Sequence, residues 1–141
     1  MEAANRVKNL LDAGPLIAAI SSQDEHHAWA CEILARVGPP FYSCPEAMAE
    51  AAAMTGKPAA IVEMIKAGEI VLAFDLAEQA DSVLALLQKY RDREMDLADA
   101  CLVRMSELNR DCKLITLDRK DFSVYRRNGR DLIPLLAPPQ R

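Results

Sequence analysis

Short apolar runs alternate with helical patterns along the chain, and this alternation constrains the fold more than any other feature. The runs typical of buried strands are, in order, "RVKNLLD", "FYSC", "IVLAF", "KLITLD" and "DLIPLL". The intervening segments carry apolar residues at helical spacing, as in "LAEQADSVLALLQKYRD". Strands that alternate with helices form βαβ units, so the sequence predicts an α/β fold: a three-layer α/β/α sandwich with a mostly parallel central sheet.

Several local signals predict where these elements begin and end. Pro15 and Pro45 each open a helical segment, where the missing proline N–H costs nothing, and Gly56 is placed to end a helix. Ser22 and the glutamate three residues later have the spacing of a capping box, which predicts the start of the second helix. Pro134 predicts that "DLIPLL" forms an edge strand.

Length and composition indicate one domain that spans residues 1–141. The chain is 51% hydrophobic, which is enough to bury a sizeable core. No window approaches the roughly 18 uninterrupted apolar residues of a membrane span. The first residues, "MEAANRVKNLLD", lack the apolar run and cleavage site of a secretory signal. We therefore expect a cytoplasmic protein without membrane contact.

The four cysteines are widely separated in the sequence. They are Cys31, Cys44, Cys101 and Cys112, and no C-x-x-C pair occurs among them. This spacing argues against a zinc site or a redox motif. We expect the cysteines to be small buried residues of a protein in a reducing compartment.

Charge is distributed unevenly along the chain. The net charge of −4 argues against a protein that coats nucleic acid. Residues 113–141, however, hold seven basic and three acidic side chains, a balance of +4 that leaves −8 for the first 112 residues. A basic segment suits a phosphate-bearing or acidic partner, although a solvated face would explain it equally well. The residues predicted to contact RNA phosphates are Arg119, Lys120, Arg126 and Arg127.

Four aspartates from distant parts of the chain are predicted to meet at one edge of the sheet. Asp12 follows the first strand and Asp118 follows the fourth, and parallel strands end at the same carboxyl edge. The helix that carries Asp96 and Asp99 leads into the fourth strand through a short connection, so its N-terminus lies at that edge too. Helix capping would explain Asp96 and Asp99, but we expect it to explain neither of the other two.

Clustered carboxylates repel one another unless a cation lies between them. A site made only of oxygen ligands suits a hard cation such as Mg²⁺ or Mn²⁺. Such a cation polarises a phosphoryl oxygen and activates water near neutral pH. The acids therefore indicate hydrolysis of a phosphodiester.

Four segments carry a resemblance to a known family. In chain order they are "NLLDAGPLIA", "CPEAMAEAA", "MDLADACLV" and "LITLDRKDF". With these segments at these separations, nearly the whole chain resembles the PIN-domain ribonucleases, most closely the VapC-like toxins of bacterial toxin–antitoxin pairs. The resemblance implies a PIN-like fold and an Mg²⁺- or Mn²⁺-dependent endoribonuclease. It also implies a homodimer whose partners are an RNA substrate and a small neutralising antitoxin protein.

The resemblance also assigns roles to individual residues. The catalytic acids that it implies are Asp12, Glu50, Asp99 and Asp118, and the metal ligands are Asp12, Asp96, Asp99 and Asp118. The role of Glu50 depends most on the resemblance, because its position in the sequence alone indicates a solvated glutamate on a helix. Thr116 matches the small hydroxyl residue that often precedes the last acid by two positions.

Three alternatives stay open at this stage. Ala13 stands where the family often has a hydroxyl residue, so the chain could be a weakened PIN-like module that binds RNA or protein without cutting. Asp121 is either a second acid beside Asp118 or the N-cap of the turn "FSVYR". The third hypothesis is a phosphatase or phosphoacceptor domain that uses a strand-end aspartate.

Overall fold

The computed structural model describes residues 7–140. Arg6, which opens the first predicted strand, and Arg141, which closes the basic segment, lie outside the described residues. The strands are β1 (Lys8–Leu11), β2 (Phe41–Ser43), β3 (Ile70–Leu72), β4 (Cys112–Ile115), β5 (Arg126–Arg127), β6 (Asp131–Leu132) and β7 (Leu135–Leu136). The helices are α1 (Ala13–Ile20), α2 (His27–Val37), α3 (Pro45–Thr55), α4 (Pro58–Lys66), α5 (Ala80–Lys89), α6 (Leu97–Leu108) and α7 (Arg119–Phe122).

The central sheet has five strands in the order β3-β2-β1-β4-β7, and every neighbouring pair is parallel. Helices flank it, so the predicted three-layer α/β/α architecture is confirmed. The chain moves outward from β1 to β2 and β3, then crosses to β4 on the other side of β1. The crevice between the carboxyl ends of β1 and β4 is therefore a topological switch point, where ligands bind in sheets of this kind.

The core consists of the apolar residues of the two central strands and the helices packed against them. Leu10 and Leu11 of β1 and Leu114 and Ile115 of β4 are fully buried, as expected for strands covered on both faces. Small residues such as Ala51 let α3 approach its neighbours closely. Within residues 7–140, no helix combines the length and apolar character needed to span a membrane.

The predicted helix boundaries are partly right. Pro45 opens α3, and Gly56 ends it with a φ of 67°, a left-handed conformation that suits glycine. Pro15, in contrast, lies inside α1, which begins at Ala13. The capping box proposed for Ser22 is wrong: α2 begins at His27, after a turn in which an Asp24 carboxylate oxygen accepts from the His26 N–H at 2.8 Å.

The last predicted strand is two strands. Asp131–Leu132 pairs antiparallel with Arg126–Arg127 in a separate two-stranded sheet, and Leu135–Leu136 pairs parallel with β4. The chain changes sheets at Ile133 and Pro134, and the Pro134 carbonyl accepts from the Leu114 N–H at 2.8 Å. The predicted edge position is correct for Leu135–Leu136, which ends the central sheet.

Candidate active site

A cavity of about 410 Å³ opens at the carboxyl ends of β1 and β4. Seven carboxylate residues line it: Asp12, Glu50, Glu94, Asp96, Asp99, Asp118 and Asp121. Gly14, Leu117 and Tyr125 complete the lining, so within residues 7–140 no lysine or arginine is part of its wall. The four aspartates that the sequence places at this edge therefore share one cavity, and Glu50, which the resemblance adds to them, lines it too.

Asp12 is held at the base of this cavity by two hydrogen bonds. One carboxylate oxygen accepts from the Ala13 N–H at 2.8 Å, and the other accepts from the Thr116 hydroxyl at 2.7 Å. Asp12 is only 9% exposed, and its own N–H donates to the Ile115 carbonyl at 3.0 Å. Its carboxylate is thus fixed in position by the pairing of β1 with β4.

Three of the aspartates cap helices, and this corrects one expectation. Asp96 caps α6 as predicted, because its side chain accepts from the Asp99 N–H at 2.8 Å. Asp118 caps α7 in the same way, accepting from the Asp121 N–H at 2.9 Å. Asp12 is the N-cap of α1. The expectation that capping explains neither Asp12 nor Asp118 is therefore wrong, because a helix starts directly after each of them.

Capping does not account for the whole cluster. Asp99 lies in the first turn of α6 and accepts no hydrogen bond from the described residues, although it is half-buried. Glu50 lies on α3, which packs against both α1 and α6, and its exposed side chain forms part of the cavity wall. Asp99 on α6 and Glu50 on α3 therefore have no capping role, and each contributes its carboxylate to the same cavity wall.

Sequence reasoning missed two lining residues and left a third undecided. Glu94 has a positive φ of 55° and directly precedes the "MDLAD" segment, which was the one signal that could have indicated it. Tyr125 is buried and packs edge-on against Tyr90 with ring centroids 5.0 Å apart. Asp121 lies within α7, so it is not the N-cap of "FSVYR", and its carboxylate faces the cavity beside Asp118.

Burial and mutual repulsion raise the pKa of the acids in this cavity. Burial is the main reason that the pKa of Asp99 rises to about 8, and the charges of Asp96, Asp12, Asp118 and Asp121 add to it. Burial also raises the pKa of Asp12 to about 6, against the opposing effect of the Thr116 hydrogen bond.

The pKa values of the two remaining predicted catalytic acids move in the same direction. Burial raises the pKa of Asp118, and the neighbouring Asp121 carboxylate adds to the increase. The pKa of Glu50 is raised by the partial desolvation of its carboxyl group at the cavity wall and by the charge of Asp96. Without a cation, the cavity therefore retains protons that ordinary carboxyl groups release.

The donor set fits a hard divalent cation. One carboxylate oxygen from each of Asp99, Asp118 and Asp121 lies within 4.8 Å of the other two. Ligands around an octahedral Mg²⁺ with bonds of about 2.1 Å are separated by about 3 to 4.2 Å, so small side-chain movements would bring these oxygens onto one ion. Asp121 joins the predicted ligands here, while Asp12 and Asp96 lie beside this group with their capping hydrogen bonds made.

The four predicted RNA-contacting residues have different environments. Lys120 is exposed on α7, beside the cavity acids. Arg119 and Arg126 are half-buried and donate to backbone carbonyls, including Ala137 O at 3.2 Å. Arg127 is only 9% exposed and donates to interior carbonyls, so its prediction as a phosphate contact is wrong.

No protein-family model matches this chain, and no curated protein sequence matches it.

Proposed function

We propose that this protein is an Mg²⁺- or Mn²⁺-dependent endoribonuclease. The observation that carries the proposal is the cavity at the switch point, where seven carboxylate side chains converge and, within residues 7–140, no basic residue lines the wall. Negative charge at this density, offset in part by the Arg93–Asp121 ion pair at the edge of the cavity, destabilises a folded chain, and one divalent cation relieves it. A site of this donor chemistry is suited to phosphoryl transfer.

The residues divide into those that would hold the cation and those that would act beside it. Asp99, Asp118 and Asp121 have the oxygen spacing for direct ligands, with Asp96 and Asp12 close by. When bound, the cation supplies a Lewis acid for the phosphoryl oxygen and lowers the pKa of water. Asp99 would release its proton as the ion enters, since a ligating carboxylate must be ionised.

Glu50 is the residue placed to move a proton during the reaction. It is exposed at the cavity wall, and its raised pKa makes the carboxylate a better proton acceptor than an ordinary glutamate. We assign it the role of general base toward the attacking water. No side-chain nucleophile is part of the proposal.

RNA is proposed as the substrate from the surroundings of the cavity and from the family resemblance. Lys120 follows the site acids and is exposed, so it can contact a phosphate that flanks the scissile bond. The resemblance to VapC-like toxins leads us to propose, in addition, a homodimeric toxin neutralised by an antitoxin protein.

The direct test is cleavage of a circular RNA, which has no ends and therefore reports only internal cuts. We expect cleavage with Mn²⁺ or Mg²⁺, none with EDTA, and loss in Asp99→Asn and Asp118→Asn. Asp81→Asn, an exposed aspartate on α5 outside the cavity, is the matched control and should cleave normally. Cleavage that persists in EDTA or in Asp99→Asn would contradict the proposal. Metal-independent RNA binding without cleavage would identify the weakened module instead.

The toxin role has a separate test in cells. Expression should arrest growth, and Asp99→Asn should abolish that arrest while the protein accumulates to the same level. Arrest that is unchanged in this variant would show that growth inhibition does not depend on the acidic site.

A further inference from the structure

A second group of ligand-type side chains lies outside the acidic cavity. Cys44, Glu46 and Cys101 each offer one atom, two sulfurs and one carboxylate oxygen, that lies within 4.8 Å of the other two. Both cysteines are fully buried, and Glu46 is half-buried. None of the three lines the cavity that holds Asp99 and Asp118.

Packing between two helices creates this group. Cys44 is the N-cap of α3 and directly follows β2, and Glu46 lies in the first turn of the same helix. Cys101 lies in α6, which packs against α3. The two cysteines are 57 positions apart in the numbering, so sequence spacing could not indicate that they meet.

One polar atom in the group has no partner. The Glu46 Oε1 atom is buried and forms no hydrogen bond with the described residues. A buried carboxylate oxygen without a hydrogen-bond partner costs more free energy than a buried neutral polar group without one. Native proteins therefore generally supply a partner. Two thiol sulfurs are its neighbours, and sulfur is a weak hydrogen-bond partner. The Cys101 thiol is at best a weak donor to the Glu46 carboxylate, and a cation would give this buried oxygen a stronger partner.

We propose that Cys44, Glu46 and Cys101 bind a thiophilic divalent cation, with Zn²⁺ as the preferred ion. Tetrahedral Zn²⁺ with Zn–S bonds of about 2.3 Å places its ligand atoms about 3.5 to 3.8 Å apart, which the observed spacing can accommodate. Two sulfur donors select against Mg²⁺ and Mn²⁺, the ions suited to the all-oxygen cavity. The chain would then hold two chemically distinct metal sites.

The binding step leaves the net charge of the group unchanged. Zn²⁺ brings two positive charges, and the two thiols release their protons to solvent as they become thiolates. With Glu46 ionised, the net charge of the group is −1 before and after binding. The ion therefore satisfies the Glu46 oxygen without adding net charge to the interior.

The position of the site indicates what the ion would do. It would cross-link the start of α3, one turn before Glu50, to α6 at a point two residues after Asp99. A cross-link there would fix the helices that carry two acids of the cavity. We assign the ion a structural role, and the assignment does not depend on the nuclease proposal.

The test uses the untagged full-length chain, because a histidine tag would bind the probe ions. After removal of metals under reducing conditions, Co²⁺ is added and the sulfur-to-cobalt charge-transfer band is recorded. We expect this band in the wild type, in Cys112→Ser and in Asp99→Asn. We expect its loss in Cys44→Ser and Cys101→Ser. Cys112 is the matched control, since it is equally buried but lies outside the group.

Glu46→Gln keeps the side-chain shape and guards against cysteine variants that fail to fold. It should weaken Co²⁺ binding by at least about tenfold, because it replaces a direct carboxylate ligand and even the loss of an outer-shell partner costs about that much. Zn²⁺ should raise the Tm of the wild type and Cys112→Ser, and should raise it less in Glu46→Gln. A wild type without the cobalt band, or a band that survives in folded Cys101→Ser, would overturn the proposal. Neither result decides the nuclease proposal, which the RNA cleavage assay tests separately.

Discussion

The hydroxyl of Thr116 donates to a carboxylate oxygen of Asp12 at 2.7 Å, joining residues that lie 104 positions apart. The same hydroxyl oxygen accepts from the Asp118 N–H at 2.9 Å. The register of β1 and β4, in which Leu11 pairs with Ile115, places Thr116 directly beside Asp12. One fully buried hydroxyl therefore fixes the relative positions of two site acids without any bound ion.

Replacing this hydroxyl with a methyl group tests its contribution. Thr116→Val keeps the side-chain shape but leaves a buried Asp12 oxygen and the Asp118 N–H without their partner. We expect the free energy of unfolding to fall by about 1–3 kcal/mol, measured by urea denaturation. Thr116→Ser keeps the hydroxyl and should lose less. A Thr116→Val protein as stable as the wild type would show that these hydrogen bonds contribute nothing net.

Metal affinity should increase with pH. The metal-free pKa values of Asp99 and Asp12, about 8 and about 6, mean that protons compete with the cation through the neutral range. The Mn²⁺ dissociation constant should fall by up to about tenfold per pH unit for each ligand that must release a proton, and should level off above the pKa of Asp99. Isothermal titration calorimetry from pH 6 to 9 measures this, and a flat profile would contradict the assignment.

The metal-free protein should become less stable as pH rises. A carboxyl group with a raised pKa binds more protons in the native state than in the unfolded state, so unfolding becomes easier between its ordinary pKa of 3.8 and about 8. Asp99→Asn removes the free-energy cost of an ionised carboxylate at this position. It should therefore raise the Tm of the metal-free protein by several degrees at pH 8, since each kcal/mol gained corresponds to roughly 3 °C.

The comparison of Tm values between the wild type and Asp99→Asn needs two controls. Asp81→Asn, which removes a carboxylate outside the cavity, should leave the pH profile of the Tm unchanged. Mn²⁺ should stabilise the wild type much more than Asp99→Asn, since the variant lacks a ligand. If Asp99→Asn lowers the Tm of the metal-free protein, the burial and repulsion of a charged Asp99 do not reduce the stability of the fold.

The layered fold and the meeting point of the acids could be predicted because both depend only on the order of strands and helices. Parallel strands share a carboxyl edge whatever their exact length, so Asp12 and Asp118 converge even though β4 ends at Ile115 rather than at Asp118 itself. The capping roles of Asp12 and Asp118 could not be predicted, because they depend on backbone turns that form after each strand. Hydrophobic periodicity carries no information about those turns.

The contacts that sequence reasoning missed join elements that are far apart in the chain. Arg127 follows other basic residues, yet it is buried because β5 packs against α6, and it donates to the Ser106 carbonyl at 3.2 Å. Cys44 and Cys101 meet for the same kind of reason, through the packing of α3 on α6. Three of the four cysteines are buried as expected, whereas Cys31 is exposed.

Glu50 should affect activity far more than stability. Its side chain is exposed and makes no hydrogen bond or ion pair with the described residues, so Glu50→Gln should change the free energy of unfolding by less than about 0.5 kcal/mol. Because Glu50 is the proposed general base, Glu50→Gln should lower kcat by about 10²-fold or more. Glu63→Gln, an exposed glutamate on α4, is the matched control and should retain full activity. Equal activity of the two variants would remove Glu50 from the catalytic set.

An ion pair at the edge of the cavity should limit metal affinity. Arg93 donates to an Asp121 carboxylate oxygen at 3.0 Å, and each side chain is about a third exposed. The guanidinium competes with a cation for this acid, so Arg93→Gln should tighten Mn²⁺ binding by about two- to fivefold, the modest effect expected of a solvent-screened pair. Arg91 is an exposed arginine in the 3₁₀ turn Arg91–Arg93, and Arg91→Gln removes the same charge without breaking the pair. Calorimetry should show a larger gain for Arg93→Gln, and equal gains would mean that only the long-range charge matters.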